Sequence, residues 1–396
     1  MPQHADILED DLLKLNVLEW LLKDHTTGNN ILWASDYYVD LGDEYKPDKQ
    51  ILPELITGME EVGKEGHKIS KNTIIQPRAL KNSKEQTRRT KDKAEVFTPT
   101  WVCNAQNNLI DSAWFGRKDV AIFNTEHDDH TWTPTEGKID FEGTGKTWQD
   151  YVSDPRLEIT CGEAPYIASR YDVVTGEIMP LSHRVGLLDR KMRVVNENVS
   201  KDDPHTWRKM AKQALKSTYG YEWMGDSLLL ARETLLVTMI DYYEEKFGTR
   251  KVNIGTLRSF SRIISWNLWQ MDGLRMVVPN SCMDSPREEE PKESIPEPPM
   301  LFAEQELDDC ASSCQEPEDE NERTSEAEEP KKDYESVKCA SCRKGLMTGH
   351  IGIKCRIRDW SIKDKPKGWD PNCEQAKWSS KSPWQILEFE SLLNKN

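Results

Sequence analysis

Two groupings in this chain have residue types and spacings that could do chemistry. The first is sulfur and imidazole: Cys339 and Cys342, then His350, then Cys355, with Cys373 as an alternative to His350. Thiolates two residues apart can chelate one tetrahedral Zn²⁺ from a tight turn, and a distant pair closes the site. Four protein ligands leave no open position, so this zinc is expected to be structural. The second grouping is carboxylate beside glycine: Glu158-Ile159-Thr160-Cys161-Gly162-Glu163, and later Gly220-Tyr221-Glu222. In an open parallel sheet the loop after the first strand passes under a cofactor. Glycine there lets amides approach closely, and the next helix N-terminus favours an anion. An acid ending the second strand can accept both hydroxyls of a ribose. Glu222 is one candidate for that role; Asp189, nearer to Cys161 in sequence, is the other.

Those residues need elements to hold them. Leu157 to Thr160 reads as a short strand. Pro204 to Lys216 reads as a helix with Asp202 or Asp203 as cap, Thr218 to Trp223 as a strand, and Ser227 to Phe247 as a long helix. Strand and helix alternating in this way indicate an α/β fold with a mostly parallel sheet. Upstream, Ile7 to Leu22 has helical apolar spacing, and Ile31 to Ala34 reads as a short strand. The expected organisation is a helical and basic N-terminal region (1–93), an α/β domain (94–283), an acidic linker (284–335) and a small Cys-rich module (336–396). The linker is rich in Glu, Pro and Ser and cannot bury enough apolar surface to order itself. A module of sixty residues calls for a metal staple.

Charge is distributed unevenly. The formal net charge is -16, but Asp284 to Glu335 holds 20 acids against 5 bases, leaving about -1 on all the rest. Lys64 to Lys93 holds 10 bases against 3 acids. Only that stretch is expected to meet phosphates, through Arg88, Arg89, Lys91 and Lys93. No apolar run approaches the roughly 20 residues of a membrane span, and the acidic N-terminus is unlike a leader. A cytoplasmic protein with reduced thiols is the expectation; Cys310 and Cys314, in the linker, bind nothing. Gly143-Thr144-Gly145-Lys146-Thr147 is a loop and not a phosphate-binding motif, because Asp140 stands where that motif needs glycine.

Read together, several stretches resemble a known family. Leu157 to Glu163 resembles the acid-x-x-Cys-Gly opening of type I and type IIG modification subunits. Gly220-Tyr221-Glu222 with Ala231-Arg232 and Leu235 resembles the second methyltransferase motif, and Asn267-Leu268-Trp269-Gln270-Met271-Asp272-Gly273-Leu274 the third. Phe97-Thr98-Pro99 resembles the tripeptide that packs near the methionine end of S-adenosylmethionine (SAM) in adenine methyltransferases. Asp24 to Cys282 as a whole is similar to the bacterial and phage proteins labelled restriction endonuclease subunit M. The resemblance implies a doubly wound, SAM-dependent methyltransferase-like sheet acting on adenine N6 of DNA, with other restriction-modification subunits as partners. It further implies that Thr98, Pro99, Glu158, Cys161 and Gly162 cradle the cofactor, that Glu222 holds its ribose and that Asp272 reads its adenine. The catalytic acid or amide followed by Pro-Pro-aromatic, which grips a flipped base, is missing. Glu297-Pro298-Pro299-Met300 lacks the aromatic, and Glu163-Ala164-Pro165-Tyr166 lies in the cofactor loop. The resemblance therefore leaves two expectations, an active enzyme or a binding subunit that transfers nothing.

Overall fold

The computed structural model describes residues 17–56, 59–62, 67–70, 74–93, 95, 98–118, 120–282, 339–346, 348–360 and 386–393. The acidic linker, Cys310, Cys314, Cys373, Phe97 and most of the expected first helix lie outside them. The described residues form a mixed α/β structure with small sheets. Six helices exceed ten residues: α1 (Ser83–Lys93), α2 (Thr100–Phe115), α3 (Leu187–Asn198), α4 (Pro204–Lys216), α5 (Gly225–Phe247) and α6 (Ile254–Asn267). The central sheet has three parallel strands in the order β1 (Arg156–Glu158), β2 (Thr218–Glu222), β3 (Leu268–Gln270). A C-terminal hairpin pairs β4 (Arg356–Arg358) with β5 (Ile386–Glu388).

Local chemistry sets these boundaries. Asp203 accepts from Thr206 N and Pro204 follows it, so α4 starts where an N-cap and a first-turn proline coincide. Asn253 caps α6 in the same way, accepting from Gly255 N. α5 ends at Gly248, whose left-handed backbone suits a helix stop. Inside, Arg232 is fully buried and satisfied by the carbonyls of Leu268, Ser265, Leu21 and Lys23. One guanidinium thus joins α5, the end of α6 and the N-terminal segment.

Side-chain alternation along the strands divides the core in two. Leu268 belongs to the large cluster that runs from Val17 through Leu188, Trp207 and Leu236 to Phe260. Tyr221, Trp269 and Met271 point the other way and pack with Cys355, Ile357, Leu387 and Phe389. Helices therefore cover one face of the sheet and the C-terminal hairpin covers the other. This matches the expected α/β class and parallel sheet, while the C-terminal segment on the second face contributes, among the described residues, only the short helices Ala340–Lys344 and Glu390–Leu393. The C-terminal segment is built into the sheet's second face, where Val277 bridges to both Asp272 and Lys354. Ile31 to Ala34 forms only an isolated bridge, Leu32 with Gln50.

Candidate functional site

A cavity of about 660 Å³ opens at the carboxyl ends of β1 and β2. Thr98, Glu158, Cys161, Gly162 and Glu222 all line it. Glu158 and Glu222 end adjacent strands, with Glu158 in register with Gly220. Both acids are buried and both hold backbone. Glu158 accepts from Tyr166 N at 3.3 Å and Ile167 N at 3.1 Å. Glu222 accepts from Gly162 N at 2.8 Å and Met224 N at 3.1 Å. Burial pushes the Glu158 carboxyl well above the usual range, against the pull of those two amides, and Glu222 adds to the push. Burial raises Glu222 as well, partly offset by the N–H groups of Met224, Gly162 and Trp223.

The loop that leaves β1 is tightly wound. Thr160, Gly162 and Ala164 have φ of 45°, 54° and 63°. For the two non-glycine residues this left-handed backbone costs on the order of 1–3 kcal/mol each, and such strain concentrates at functional sites. Cys161 is sealed beneath the loop against Gly220, where an added Cβ would sit 3.2 Å from its Sγ. Burial, then Glu158 and Glu222, push its thiol well up, so it is a packing group and no nucleophile. Glu163 anchors the loop to the basic segment, accepting from Arg78 N and the Tyr171 hydroxyl at 2.7 Å each.

The other sequence candidates fall as follows. Pro99 stands behind Thr98 as the residue before α2, its carbonyl accepting from Val102 N and Cys103 N. Asp189 lies off the cavity and caps its own turn, accepting from Ser169 N and Gly186 N. Asp272 is also off the cavity. Its Oδ1 accepts from Leu274 N and Arg275 N and its Oδ2 pairs with Arg275 at 2.6 Å. The expected adenine reader is instead spent on the Asp-Gly turn that leaves β3. Gln270 occupies the register position beside Glu222, and its amide is taken up by Leu32 and Trp223.

Arg89 is a correction too. It is fully buried, bidentate to Glu95 at 2.7 and 2.9 Å and paired with Asp226 at 2.8 Å, so it cannot reach a phosphate. Burial works against the Asp226 carboxylate, but Arg89 and Lys81 hold it well below the usual range. Arg88 lies over the Tyr37 ring at 5.3 Å, Lys91 is exposed, and the Lys93 side chain is outside the described residues.

Sequence reasoning missed the helix that walls the cavity. Gln106, Asn107 and Ile110 of α2 line it, and Asn107 donates to the carbonyls of Tyr166 and Val185. The available signal was a buried polar stripe, Asn104, Asn107 and Asp111, at helical spacing.

The sulfur site is assembled differently from its expectation. Cys282, Cys339, Cys342 and His350 present ligand atoms all within 4.8 Å of one another and could hold a metal ion. The edges are 3.4 Å for Cys342 to Cys282, and 3.3, 3.6 and 3.7 Å from His350 Nδ1 to Cys342, Cys339 and Cys282. Zn–S and Zn–N bonds in a tetrahedron give edges of about 3.8 and about 3.6 Å. His350 Nε2 lies 2.7 Å from the Leu346 carbonyl, which can only accept, so Nε2 carries the proton and Nδ1 is left as donor to a metal. Cys355 is not in the set. Its Sγ donates to the Gln270 carbonyl, and burial pushes the thiol well up. Cys282 replaces it, arriving from the far side of the acidic linker, which is why spacing within the last sixty residues could not find it.

Comparison with protein-family models, with curated proteins and with solved structures returns no match to this chain.

Proposed function

We propose that the cavity binds SAM and that the chain is a DNA methyltransferase-like protein of restriction-modification type, directed at adenine N6 in the cytoplasm. The observation that carries this reading is convergence. Thr98, Glu158, Cys161-Gly162 and Glu222 come from three separate stretches and meet on one cavity whose volume suits a small molecule. Glu222 Oε2 accepts from Gly162 N and Oε1 from Met224 N, and the carboxylate's roughly four lone-pair sites are not all taken by its backbone partners, which leaves capacity for a ribose hydroxyl. A cationic ligand would favour the charged forms of Glu158 and Glu222, which burial otherwise disfavours. Bound SAM would supply an electrophilic methyl group; the chain's own residues hold, orient and desolvate it. Zn²⁺ in the Cys282, Cys339, Cys342, His350 set would be structural, with no position left open for substrate.

A second reading, a subunit that binds DNA or another restriction component and transfers nothing, is favoured by one observation. The cavity lining contains a single prolyl-aromatic pair, Pro165-Tyr166, and no Pro-Pro. Calorimetry with SAM tests the shared part: wild type should bind, and Glu222→Ala should weaken binding at least tenfold, given about 1.5–3 kcal/mol for hydrogen bonds to a charged group. Absence of binding by wild type refutes both the cofactor and the enzyme. Transfer of labelled methyl to DNA then separates the two readings.

A further inference from the structure

α4 and α6 together carry Arg208, Lys209, Lys212, Lys216, Arg258 and Arg262, and not one Asp or Glu. This is notable in a chain of net charge -16. The two helices pack against each other. Arg208, Lys212 and Lys216 follow one another at intervals of four, as do Arg258, Arg262 and Trp266, so each set forms a stripe along its helix. β4 and Trp360 tie the ends of the two stripes together. Arg358 lies over Trp360 at 4.3 Å and reaches Trp266 at 6.0 Å, while Lys216 lies over Trp360 at 5.0 Å. The ends of both stripes thus meet at one cation and aromatic cluster.

Beside that cluster is a second cavity of about 440 Å³ with Lys209, Gln213, Lys216, Tyr219 and Trp360 in its lining. Asp359 is the one acid lining it among the described residues. It involves Ser217 and Tyr219, at the start of β2, whereas the SAM cavity lies at the carboxyl ends. The cations lie close enough to oppose one another. Burial lowers Lys216, and Arg358 and Lys212 lower it further; burial and Arg262 bring Arg358 down to about 10. Like charges held together without acids on their own helices favour the arrival of a polyanion, which relieves their repulsion and releases the counterions around it.

We propose that the face formed by α4, α6 and β4 is a docking surface for the phosphodiester backbone of nucleic acid. Rows of cations fit repeated phosphates, and Tyr219 adds an aromatic ring to the cavity beside the cation-covered Trp360, the combination of charge and aromatic surface by which basic grooves hold nucleic acid. This deepens the proposed function, and rests on it for the choice of DNA as the polyanion. It moves the expected phosphate-binding face away from the segment containing Arg89.

The test is fluorescence anisotropy of the full chain with a labelled duplex of about 20 bp across a salt series. The variant carries Lys209→Ala, Lys212→Ala, Arg258→Ala and Arg262→Ala, with circular dichroism melting to show that it folds. Wild type should bind with a steep salt dependence. The variant should bind at least tenfold more weakly, and its log–log salt slope should be shallower by about 3–4, close to one for each phosphate no longer neutralised. Unchanged affinity and slope would overturn the proposal, as would failure of wild type to bind duplex at low salt. A labelled poly-glutamate peptide that binds more tightly than the duplex and is lost in the variant would overturn it in favour of an acidic protein segment. If the variant does not fold, the pair Arg258→Gln and Arg262→Gln on exposed positions is read by the same slope. SAM calorimetry on the variant should be unchanged, so failure here and failure of the cofactor reading are told apart.

Discussion

Replacing Cys282 by Ser should release the metal, and replacing Cys355 by Ser should not. The two cysteines are alternatives for one position, and the structure separates them: Cys282 Sγ lies 3.4 Å from Cys342 Sγ, whereas Cys355 Sγ faces the Gln270 carbonyl. The consequence reaches beyond the ion. Cys282 and Cys339 bracket the acidic segment, so a shared metal closes it into a loop. Treated as a cross-link, closing a loop of that length removes about 4 kcal/mol of chain entropy from the unfolded state. Cys282→Ser should therefore lower the stability of the C-terminal segment by a few kcal/mol as well as its metal content. Elemental analysis should find about one zinc per chain in wild type and in Cys355→Ser, and a small fraction of that in Cys282→Ser. Hydrogen exchange should then show faster opening at Arg356 to Arg358, whose hairpin packs on the sheet beside the cluster. Full metal in Cys282→Ser with loss in Cys355→Ser would refute the reasoning and restore the ligand set suggested by spacing alone.

Further outcomes follow from the packing. Arg89→Met should destabilise the fold by about 3–5 kcal/mol in urea denaturation, because Glu95 and Asp226 would lose their buried counter-charge; a loss under about 1 kcal/mol would mean that Lys81 compensates. Gly225→Ala should lower the melting temperature sharply, since its Cβ would meet the Leu32 carbonyl at 1.9 Å and overpacking of this kind costs about 1–3 kcal/mol or more. His25 stacks on Trp266 with ring centroids 4.0 Å apart, and burial, then Arg232, Arg262 and Lys23, bring it down to about 3. The unfolded chain, with an ordinary histidine near about 6.5, binds the extra proton between those values, so stability falls as pH drops from about 6.5 toward 3. His25→Phe should flatten that decline by about one proton, and an unchanged slope would place the acid sensitivity elsewhere.

Much of the local structure was legible in the sequence because its causes are local. α4 was marked by its cap and proline, α5 by apolar periodicity, and β1 and β2 by short apolar runs ending at Cys161-Gly162 and Glu222. The order of those strands came from the structure alone, where the consecutive strands lie side by side. Which residues share a site was a different matter. Glu158, Gly162 and Glu222 meet because parallel strands place their carboxyl ends together. Asp272, of the same chemical type, was lost because it lies off the cavity and both its oxygens hold the turn and Arg275. Arg89 looked like a surface cation until the chain folded Asp226 against it, and α4 and α6 were unremarkable until packing brought the ends of their cation stripes together. The fourth metal ligand was decided by the sheet, which brings Cys282 next to Cys339 across the whole acidic segment. Sequence determines what a residue can donate, accept or ligate; only tertiary packing decides which of those capacities remains free to meet a ligand, because each is first consumed by whatever the fold places within hydrogen-bond reach.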